Sequence, residues 1–225
     1  MTDSELARAA AVRRGHRPAP PGTDHLVYAV PDLVAGVSDL KARLGARQTP
    51  GGSHPGLGTR NSLLRIGDRV YLEVVGPDPE QPAPPGGLWF TGGPAPLPAL
   101  VTWAVRSADL DGLAAGPCGH LLGPVRSMSR TRPGGERIAW TLTMPGRPLP
   151  RQGIIPFFID WGDTPHPCFD LPDRGVRLVR LIGRHPDPDL VRGELDRLGV
   201  ELAVAAGRPG LVAVLETPAG DRIIL

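Results

Sequence analysis

Two residues in the amino-terminal part of the chain have side chains suited to metal binding or to proton transfer. His25 lies in the alternating stretch Asp24 to Val30, on the face opposite Leu26. Glu73 interrupts the stretch Val70 to Val75, which alternates in the same way and is otherwise apolar or aromatic. Alternation of this kind predicts β-strands. An imidazole and a carboxylate that meet across a curved sheet would supply two ligands for a divalent metal ion, or an acid and a base.

The elements that follow the first strand predict how these two side chains are positioned. Pro31 ends the strand, and Asp32 takes the N-cap position of a helix whose apolar residues recur at helical spacing up to Gly45. Three later strands follow this helix, and the last of them carries Glu73. The pattern predicts a βαβββ unit over residues 24–76.

The same order of elements recurs twice along the chain. A strand at Leu100 to Val105, a short helix, a hairpin with a Pro-Gly-Gly turn and a strand at Ile154 to Trp161 predict a second unit over residues 100–161. Residues 175–225 predict a third unit, in which a helix that begins near Pro186 separates one strand from three shorter ones. This internal repeat predicts an α+β protein.

Several motifs in this order resemble the first module of the vicinal oxygen chelate superfamily, which includes glyoxalase I. They are His25, Val30-Pro31-Asp32-Leu33, Leu44-Gly45 and Tyr71-Leu72-Glu73. Other motifs are similar to the glyoxalase-like domain subgroup, namely His54 to Asn61, Ser129 to Gly135 with Trp140, and Pro156-Phe157-Phe158 with Trp161. The resemblance implies repeated βαβββ modules in a curved mixed sheet, with a third module at the C-terminus. It divides the chain into a flexible extension, a glyoxalase-like domain and an additional module, at residues 1–22, 23–170 and 175–225.

In metal enzymes of this superfamily, the first and last strands of two paired modules supply the ligands. The resemblance therefore implies His25 and Glu73 as metal ligands of the first module. Alignment on the shared terminal valines of the first strands, and on the last strands, places Leu100 and Phe158 at the matching positions of the second module. Ile224 takes the last-strand position of the third. A metal needs at least one more ligand, for which the candidates are His54, Asp160 and His166. The implied metal is zinc, nickel, manganese or iron.

The resemblance leaves three functions open. The first is a metal-dependent lyase, isomerase or oxygenase that acts on a small oxygen-chelating substrate, with catalytic His25 and Glu73. In this interpretation His54 and Asn61 face the substrate. The second is a metal-free binding protein of the sequestration or resistance type, whose cavity has aromatic walls and polar ends. Those walls and ends would comprise Trp103, Trp140, Phe157, Phe158, Arg130 and Arg132. The third is a metal-free lyase or isomerase that uses His25 and Glu73 as an acid–base pair.

The resemblance implies a small-molecule partner, and composition excludes several other classes. The net charge is +2, and the basic residues are scattered, so neither nucleic acid nor a membrane surface is predicted as a partner. Cys118 and Cys168 lie far apart without ligand spacing, which favours two reduced thiols. The first residues contain no apolar run long enough for a signal peptide or a membrane span, so we expect a cytoplasmic protein. Modules of this kind often pair across subunits, which leaves a homodimer open.

Overall fold

The protein is described by a computed structural model covering residues 19–82, 84–91, 96–131 and 134–225. The predicted extension at residues 1–22 falls largely in residues 1–18, which lie outside the described residues, as does Arg132. Twelve strands and three α-helices were assigned within the described ranges. They are β1 Thr23–Ala29, α1 Leu33–Leu44, β2 Thr49–His54, β3 Thr59–Arg65, β4 Tyr71–Pro77, β5 Ala99–Arg106, α2 Leu110–Ala115, β6 Val125–Thr131, β7 Arg137–Thr143, β8 Phe157–Asp160, β9 Arg177–His185, α3 Pro188–Arg197, β10 Ala203–Ala206, β11 Gly210–Glu216 and β12 Arg222–Ile224.

The first eight strands form one mixed sheet in the order β2-β3-β4-β1-β5-β8-β7-β6. Its two halves have the same pairing. In each half the first strand pairs in parallel with the last strand of its own module, as β1 does with β4 and β5 with β8. The first strands of the two modules pair with each other in antiparallel orientation. The predicted pair of βαβββ modules in a curved mixed sheet is therefore confirmed.

Each module begins its helix with an aspartate cap. The side chain of Asp32 accepts a hydrogen bond from the backbone N–H of Ala35 at 2.8 Å, and Asp109 accepts one from Gly112 at 2.9 Å. These contacts satisfy backbone donors that the first turn of a helix leaves free. Helix α1 ends at Gly45, whose φ of 63° suits glycine. The predicted start and end of α1 are both confirmed.

The C-terminal strands form a separate sheet with the order β10-β9-β11-β12. The predicted sequence of strand, helix and three strands is present, but the pairing differs from that of the two modules. Here the strand directly after the helix, β10, pairs in parallel with the first strand. In the modules the last strand does so. The third unit thus shares the element order of a module without its topology.

The large sheet has two buried faces of different character. Its back face shares a single core with α1, α3 and the C-terminal sheet, and this core contains Leu26, Trp103 and Phe158. Its front face carries a second apolar cluster, which includes Val27 and Phe157. The two edge strands approach each other at the open end of the front face, where the guanidinium of Arg130 donates to the carbonyl of Gly51 at 2.7 Å. The front face is therefore the inside of a cup.

Candidate active site

His25 and Glu73 meet on the front face of the sheet. The register pairs His25 with Tyr71 and Val27 with Glu73, so these side chains share one face of neighbouring parallel strands. His25 Nε2 lies 3.5 Å from Glu73 Oε2, and the two residues are 3 % and 9 % exposed. The structure thus brings together the two residues that sequence reasoning placed at the centre of the site.

Asp24 holds the other nitrogen of the same imidazole. Its Oδ1 lies 2.7 Å from His25 Nδ1, and its side chain is fully buried. Consecutive residues of a regular strand point to opposite faces, but the pairing of β1 with β5 shifts register between Thr23 and His25. This irregularity lies at Asp24 and accompanies the turn of its carboxylate toward the ring. Sequence analysis missed Asp24 for this reason.

Two further side chains donate to Asp24 from the loop after β8. Trp161 Nε1 and His166 Nε2 both lie 3.1 Å from Asp24 Oδ2. Burial alone would raise the pKa of Asp24, but the hydrogen bonds from His166 and His25 outweigh it and hold the pKa well below its ordinary value. Asp24 is therefore an ionised carboxylate, which can only accept hydrogen bonds. The other ring nitrogen, Nε2, does not contact Asp24 and faces Glu73 and the inside of the cup.

Aromatic rings fix the plane of the His25 imidazole. Tyr71 stacks against it with ring centroids 4.6 Å apart, and Phe157 meets it edge-on at 5.4 Å. Tyr71 is buried beside Asp24 and Glu73. Burial first, and then these two carboxylates, raise the pKa of its hydroxyl well above the usual value. Tyr71 therefore acts here as a neutral packing surface.

Asn61 connects Glu73 to a second histidine. Its Oδ1 accepts the backbone N–H of Gly52 at 3.1 Å, which fixes the direction of the amide. Its Nδ2 then donates to Glu73 Oε1 at 2.5 Å and faces His54 Nε2 at 3.0 Å. His54 Nδ1 lies 2.9 Å from Thr59 Oγ1. Burial is the largest influence on His54 and lowers the pKa of its imidazole, so the ring is neutral and accepts from Asn61.

These polar groups form one end of a cavity whose remaining wall is mostly apolar. The cavity has a volume of about 80 Å³ and opens to solvent. Its apolar lining includes Trp89, Met128, Trp140, Leu142, Phe157, Ile159 and Trp161. The guanidinium of Arg130 also reaches this wall and is 7 % exposed. A ligand here would place a polar head near His25 and Glu73 and an apolar body against the aromatic rings.

Sequence comparison decides the family. The model of the family described as "Glyoxalase-like domain" matches residues 23–199, which is well over half of the chain. The chain belongs to this glyoxalase-like family. No curated protein matches the sequence significantly.

Solved structures are similar to this glyoxalase-like protein at low sequence identity. A hypothetical protein from Staphylococcus aureus is 12 % identical, with a TM-score of 0.59 over 83 % of this chain and 86 % of that one. A methylmalonyl-CoA epimerase bound to methylmalonyl-CoA is 22 % identical, with a TM-score of 0.42 over 66 % of this chain and 100 % of that one. The epimerase from Mycobacterium tuberculosis is 20 % identical, with a TM-score of 0.39 over 69 % and 97 % of the chains. The similarity to the Staphylococcus aureus protein concerns the fold alone.

The structure corrects the predicted alignment of the second module. Each helix cap provides a reference point: His25 lies seven residues before Asp32, and Thr102 lies seven residues before Asp109. Thr102 therefore takes the position equivalent to His25, while the predicted Leu100 lies in the core behind the sheet. The same shift makes Ala104 equivalent to Val27.

The equivalent of Glu73 follows from this shift. Val27 pairs with Glu73, and Ala104 pairs with Phe157. Phe157, not the predicted Phe158, thus takes the carboxylate position. Neither Thr102 nor Phe157 supplies a typical metal ligand. The second module therefore lacks a ligand pair at Thr102 and Phe157, and not at the predicted Leu100 and Phe158.

The described donor atoms do not make a full metal site. His25 Nε2 and Glu73 Oε2 are suitable ligands, and Asp24 would orient the imidazole as carboxylates do behind metal-bound histidines. His54 Nε2, however, already accepts from Asn61. In the part of the chain that the structure covers, no group of three or more His, Cys, Asp or Glu side chains is arranged to hold a metal ion. Two ligands fall short of the three or more that a first-row metal requires.

The other predicted site residues divide between the cavity and its surroundings. His54, Asn61, Arg130 and Trp140 line the cavity. Trp103 and Phe158 belong to the core on the back face, so their predicted place in the cavity wall is corrected. Of the three candidates for a third ligand, His54 alone lies beside Glu73. His166 contacts Asp24, and Asp160 accepts the N–H of Gly162. Their roles in binding or catalysis stay predictions.

One finding bears on membranes. Among the described helices, none is both long enough and apolar enough to cross a bilayer.

Proposed function

We propose that this glyoxalase-like protein is an enzyme of the isomerase or lyase class that moves a proton on a small, oxygen-bearing substrate. The observation that carries the proposal is the approach of His25 Nε2 to Glu73 Oε2, 3.5 Å apart at the polar end of the cavity. Both atoms are proton acceptors when His25 is neutral. A shared proton relieves the repulsion between them, and a pair that shares one proton can give it up and take it back.

The surrounding contacts assign a role to each member of the pair. Asn61 holds Glu73 Oε1, which leaves Oε2 directed toward His25. In the proposed reaction, Glu73 Oε2 removes a proton from a carbon next to a carbonyl group. His25, as an imidazolium stabilised by Asp24, donates the shared proton from Nε2 to the carbonyl oxygen and becomes neutral. In a 2-hydroxy ketone, Glu73 then returns its proton to the former carbonyl carbon, and the second oxygen gives its proton to His25 Nε2. The isomerisation therefore consumes no net proton.

The cavity supports a substrate with a polar head and an apolar body. His25, Glu73 and Asn61 lie at one end, and aromatic and aliphatic side chains form most of the remaining wall. An apolar wall excludes water from the reacting atoms, which strengthens the electrostatic contacts made there. A divalent metal, were one held by His25 and Glu73, would polarise adjacent substrate oxygens. The proposed reaction uses the protein's own groups because the donor set is incomplete.

Hydrogen–deuterium exchange tests the proposal directly on the substrate, so no assay for a product is needed. The protein is incubated in D₂O with a panel of 2-oxoaldehydes, 2-oxo acids and 2-hydroxy ketones, and loss of carbon-bound protons is followed by NMR. We expect exchange of at least one compound, reduced about 100-fold or more in Glu73→Gln and His25→Gln, in line with the usual contribution of acid–base groups. Glu80→Gln, at an exposed position, is the matched control. Exchange at the wild-type rate in Glu73→Gln would overturn the proposal.

Metal content separates this proposal from metal-dependent chemistry. Protein purified without a metal-binding tag is analysed by mass spectrometry as wild type, His25→Ala and Glu73→Ala. Near-stoichiometric metal that both variants lose would favour a metal-dependent lyase, isomerase or oxygenase. Exchange that persists after treatment with a chelator would favour the acid–base pair.

The apolar half of the cavity favours a second candidate, a binding protein of the sequestration type. Phe157, Leu142 and Met128 offer no proton-transfer group. Such a protein would bind panel compounds with no exchange in D₂O, and its affinity would survive both a chelator and Glu73→Gln. Calorimetric titration of the same panel measures this outcome.

A further inference from the structure

Asp24 lies behind the His25–Glu73 pair and is fully buried at the start of β1. It does not line the cavity, so a substrate would not touch it. The described residues give its carboxylate three N–H partners: His25 on Oδ1, and Trp161 and His166 on Oδ2. Arg106 Nη1 lies 3.6 Å from the same Oδ2. Three of these four groups therefore converge on one oxygen, and His25 has the other.

For both side chains that hydrogen-bond to Oδ2, the nitrogen that carries the hydrogen can be identified. Trp161 Nε1 is always a donor. His166 Nδ1 accepts the backbone N–H of Cys168 at 3.2 Å, which leaves Nε2 as the nitrogen that carries hydrogen toward Asp24. Oδ2 thus receives two fixed donors from the loop after β8. The carboxylate cannot turn away from His25 without leaving these buried donors unpaired, which is costly.

We propose that Asp24 is the positioning residue of the site: held by Trp161 and His166, it keeps the hydrogen of neutral His25 on Nδ1 and presents Nε2 as the acceptor. The inference deepens the proposed function, because Nε2 can take up and release the shared proton only when the ring's own hydrogen stays on Nδ1. It concerns the state of the imidazole, however, and is testable without any substrate.

The substitution Asp24→Asn gives a sharp expectation. An asparagine has one acceptor oxygen and one NH₂ group. The oxygen must take the Oδ2 side, where Trp161 and His166 both donate. The NH₂ group then faces His25 Nδ1, which must accept, so the hydrogen of the neutral ring moves to Nε2. The substitution therefore reverses the tautomer while it preserves the size and shape of the side chain.

NMR of protein labelled with ¹⁵N in histidine measures the tautomer directly. Spectra are recorded at rising pH until the His25 signals stop changing, so that the neutral ring is observed. We expect an unprotonated Nε2 in the wild type and a protonated Nε2 in Asp24→Asn. Asp32→Asn is the matched control, because asparagine caps a helix as well as aspartate does and Asp32 is exposed, where it accepts from the backbone of Ala35. A wild-type tautomer in Asp24→Asn would overturn the proposal.

A second variant keeps the proposal testable if Asp24→Asn does not fold. Trp161→Phe removes one N–H donor from Oδ2 but leaves Asp24 charged. We expect a smaller fraction of Nδ1-protonated His25 than in the wild type, because the carboxylate is held less firmly. An unchanged fraction would overturn the role given to Trp161 in the proposal.

Turnover distinguishes this inference from the proposed function. Where a panel compound exchanges protons, we expect Asp24→Asn to lower kcat on the order of 10- to 100-fold, as loss of a group that orients a histidine commonly does, with KM nearly unchanged. Tautomer reversal without any exchange in the wild type would support the role of Asp24 and contradict the proposed reaction. A tautomer that stays the same beside a wild-type kcat would contradict the role of Asp24 alone.

Discussion

The two modules of the large sheet have the same strand pairing but opposite chemistry at matching positions. The helix caps and the strand registers give four equivalent pairs on the cavity face. They are His25 and Thr102, Glu73 and Phe157, Asn61 and Leu142, and His54 and Met128. At each of these four positions, a histidine, carboxylate or amide of the first module corresponds to a smaller polar or an apolar side chain in the second. The repeated scaffold supplies one reactive wall and one apolar wall to a single cavity.

This difference separates what the fold requires from what the site requires. Both modules need buried apolar residues on the back face and an aspartate at the helix cap, and both have them. Neither requirement involves the residues of the cavity face, whose side chains contact each other and the cavity. The cavity face is therefore where the two halves have diverged.

Introducing metal ligands into the second module should have the largest effect on the free energy of unfolding. The double variant Thr102→His with Phe157→Glu would place an imidazole and a carboxylate opposite His25 and Glu73. Without metal, we expect a loss of about 3–5 kcal/mol in the free energy of unfolding, because Phe157→Glu removes a packed aromatic ring and buries a carboxylate in its place. Zinc should restore much of this loss by binding four ligands in the folded state.

Urea unfolding with and without zinc measures this prediction. The control is Thr102→Val with Phe157→Leu, which should show no zinc-dependent recovery. Equal stability of the ligand variant in zinc and in chelator would show that the two half-sites do not face each other as their register implies.

Replacing a first-module residue by its second-module equivalent should have a smaller effect on the free energy of unfolding. Asn61→Leu leaves Glu73 Oε1, His54 Nε2 and the N–H of Gly52 without a shared partner. We expect a loss of about 2–3 kcal/mol in the free energy of unfolding, because buried polar groups lose their hydrogen bonds.

The control for this change lies at the equivalent position. Leu142→Met conserves volume in the apolar wall and should cost less than about 1.5 kcal/mol. Urea denaturation of both variants measures the difference. Similar costs for the two would mean that the polar network contributes no more than ordinary packing.

A third comparison concerns His54, which can bind a proton, and its equivalent Met128, which cannot. Burial, with Arg130 adding and Glu73 opposing, keeps the pKa of His54 below its unfolded value of about 6.5. Below that pH the unfolded chain binds a proton that the folded protein does not, so the free energy of unfolding falls as pH decreases. The contribution is fully present above the unfolded pKa.

Stability measured from pH 7.5 to pH 5 checks this sign. We expect the fall in wild type to exceed that of His54→Gln by up to about 1.4 kcal/mol per pH unit, the limit for one proton. His120→Gln, at an exposed position, should follow the wild-type curve. Identical slopes in wild type and His54→Gln would contradict a lowered pKa for the buried ring.

The smallest expected effect concerns the loop that completes the apolar wall. Arg147 Nη1 donates to the carbonyls of Gly86, Gly87 and Leu88 at 2.8, 2.8 and 3.1 Å. These bonds hold the segment that brings Trp89 to the cavity. Arg147→Ala should change global stability by no more than about 1 kcal/mol, because the contacts are exposed. Amide hydrogen exchange of residues 86–91 should nevertheless rise, whereas Arg174→Ala should leave it unchanged.

Sequence patterns could predict the paired modules and the meeting of His25 with Glu73, because alternation assigns each side chain to a face. They could not give the alignment of the second module. A shift of two residues preserves alternation, which is why Leu100 appeared equivalent to His25. Phe157 and Phe158 are both aromatic, so periodicity does not say which of them faces the cavity.

Asp24 shows a different limit. Regular alternation directs it away from its neighbour His25, and only a local shift in strand register turns it back. Its partners Trp161 and His166 lie far along the chain, in a loop without periodicity. A contact that depends on an irregular strand and a distant loop has no signature in the local sequence.

The hydrogen bond between Arg130 and the carbonyl of Gly51 has a consequence for solubility. β2 and β6 are the two edges of the large sheet, and an exposed edge can pair with the edge of another molecule and begin aggregation. Here the two edges turn toward each other, and a charged side chain from one occupies a backbone acceptor on the other. The curvature that creates the cup thus also removes part of the surface on which neighbouring molecules would stack.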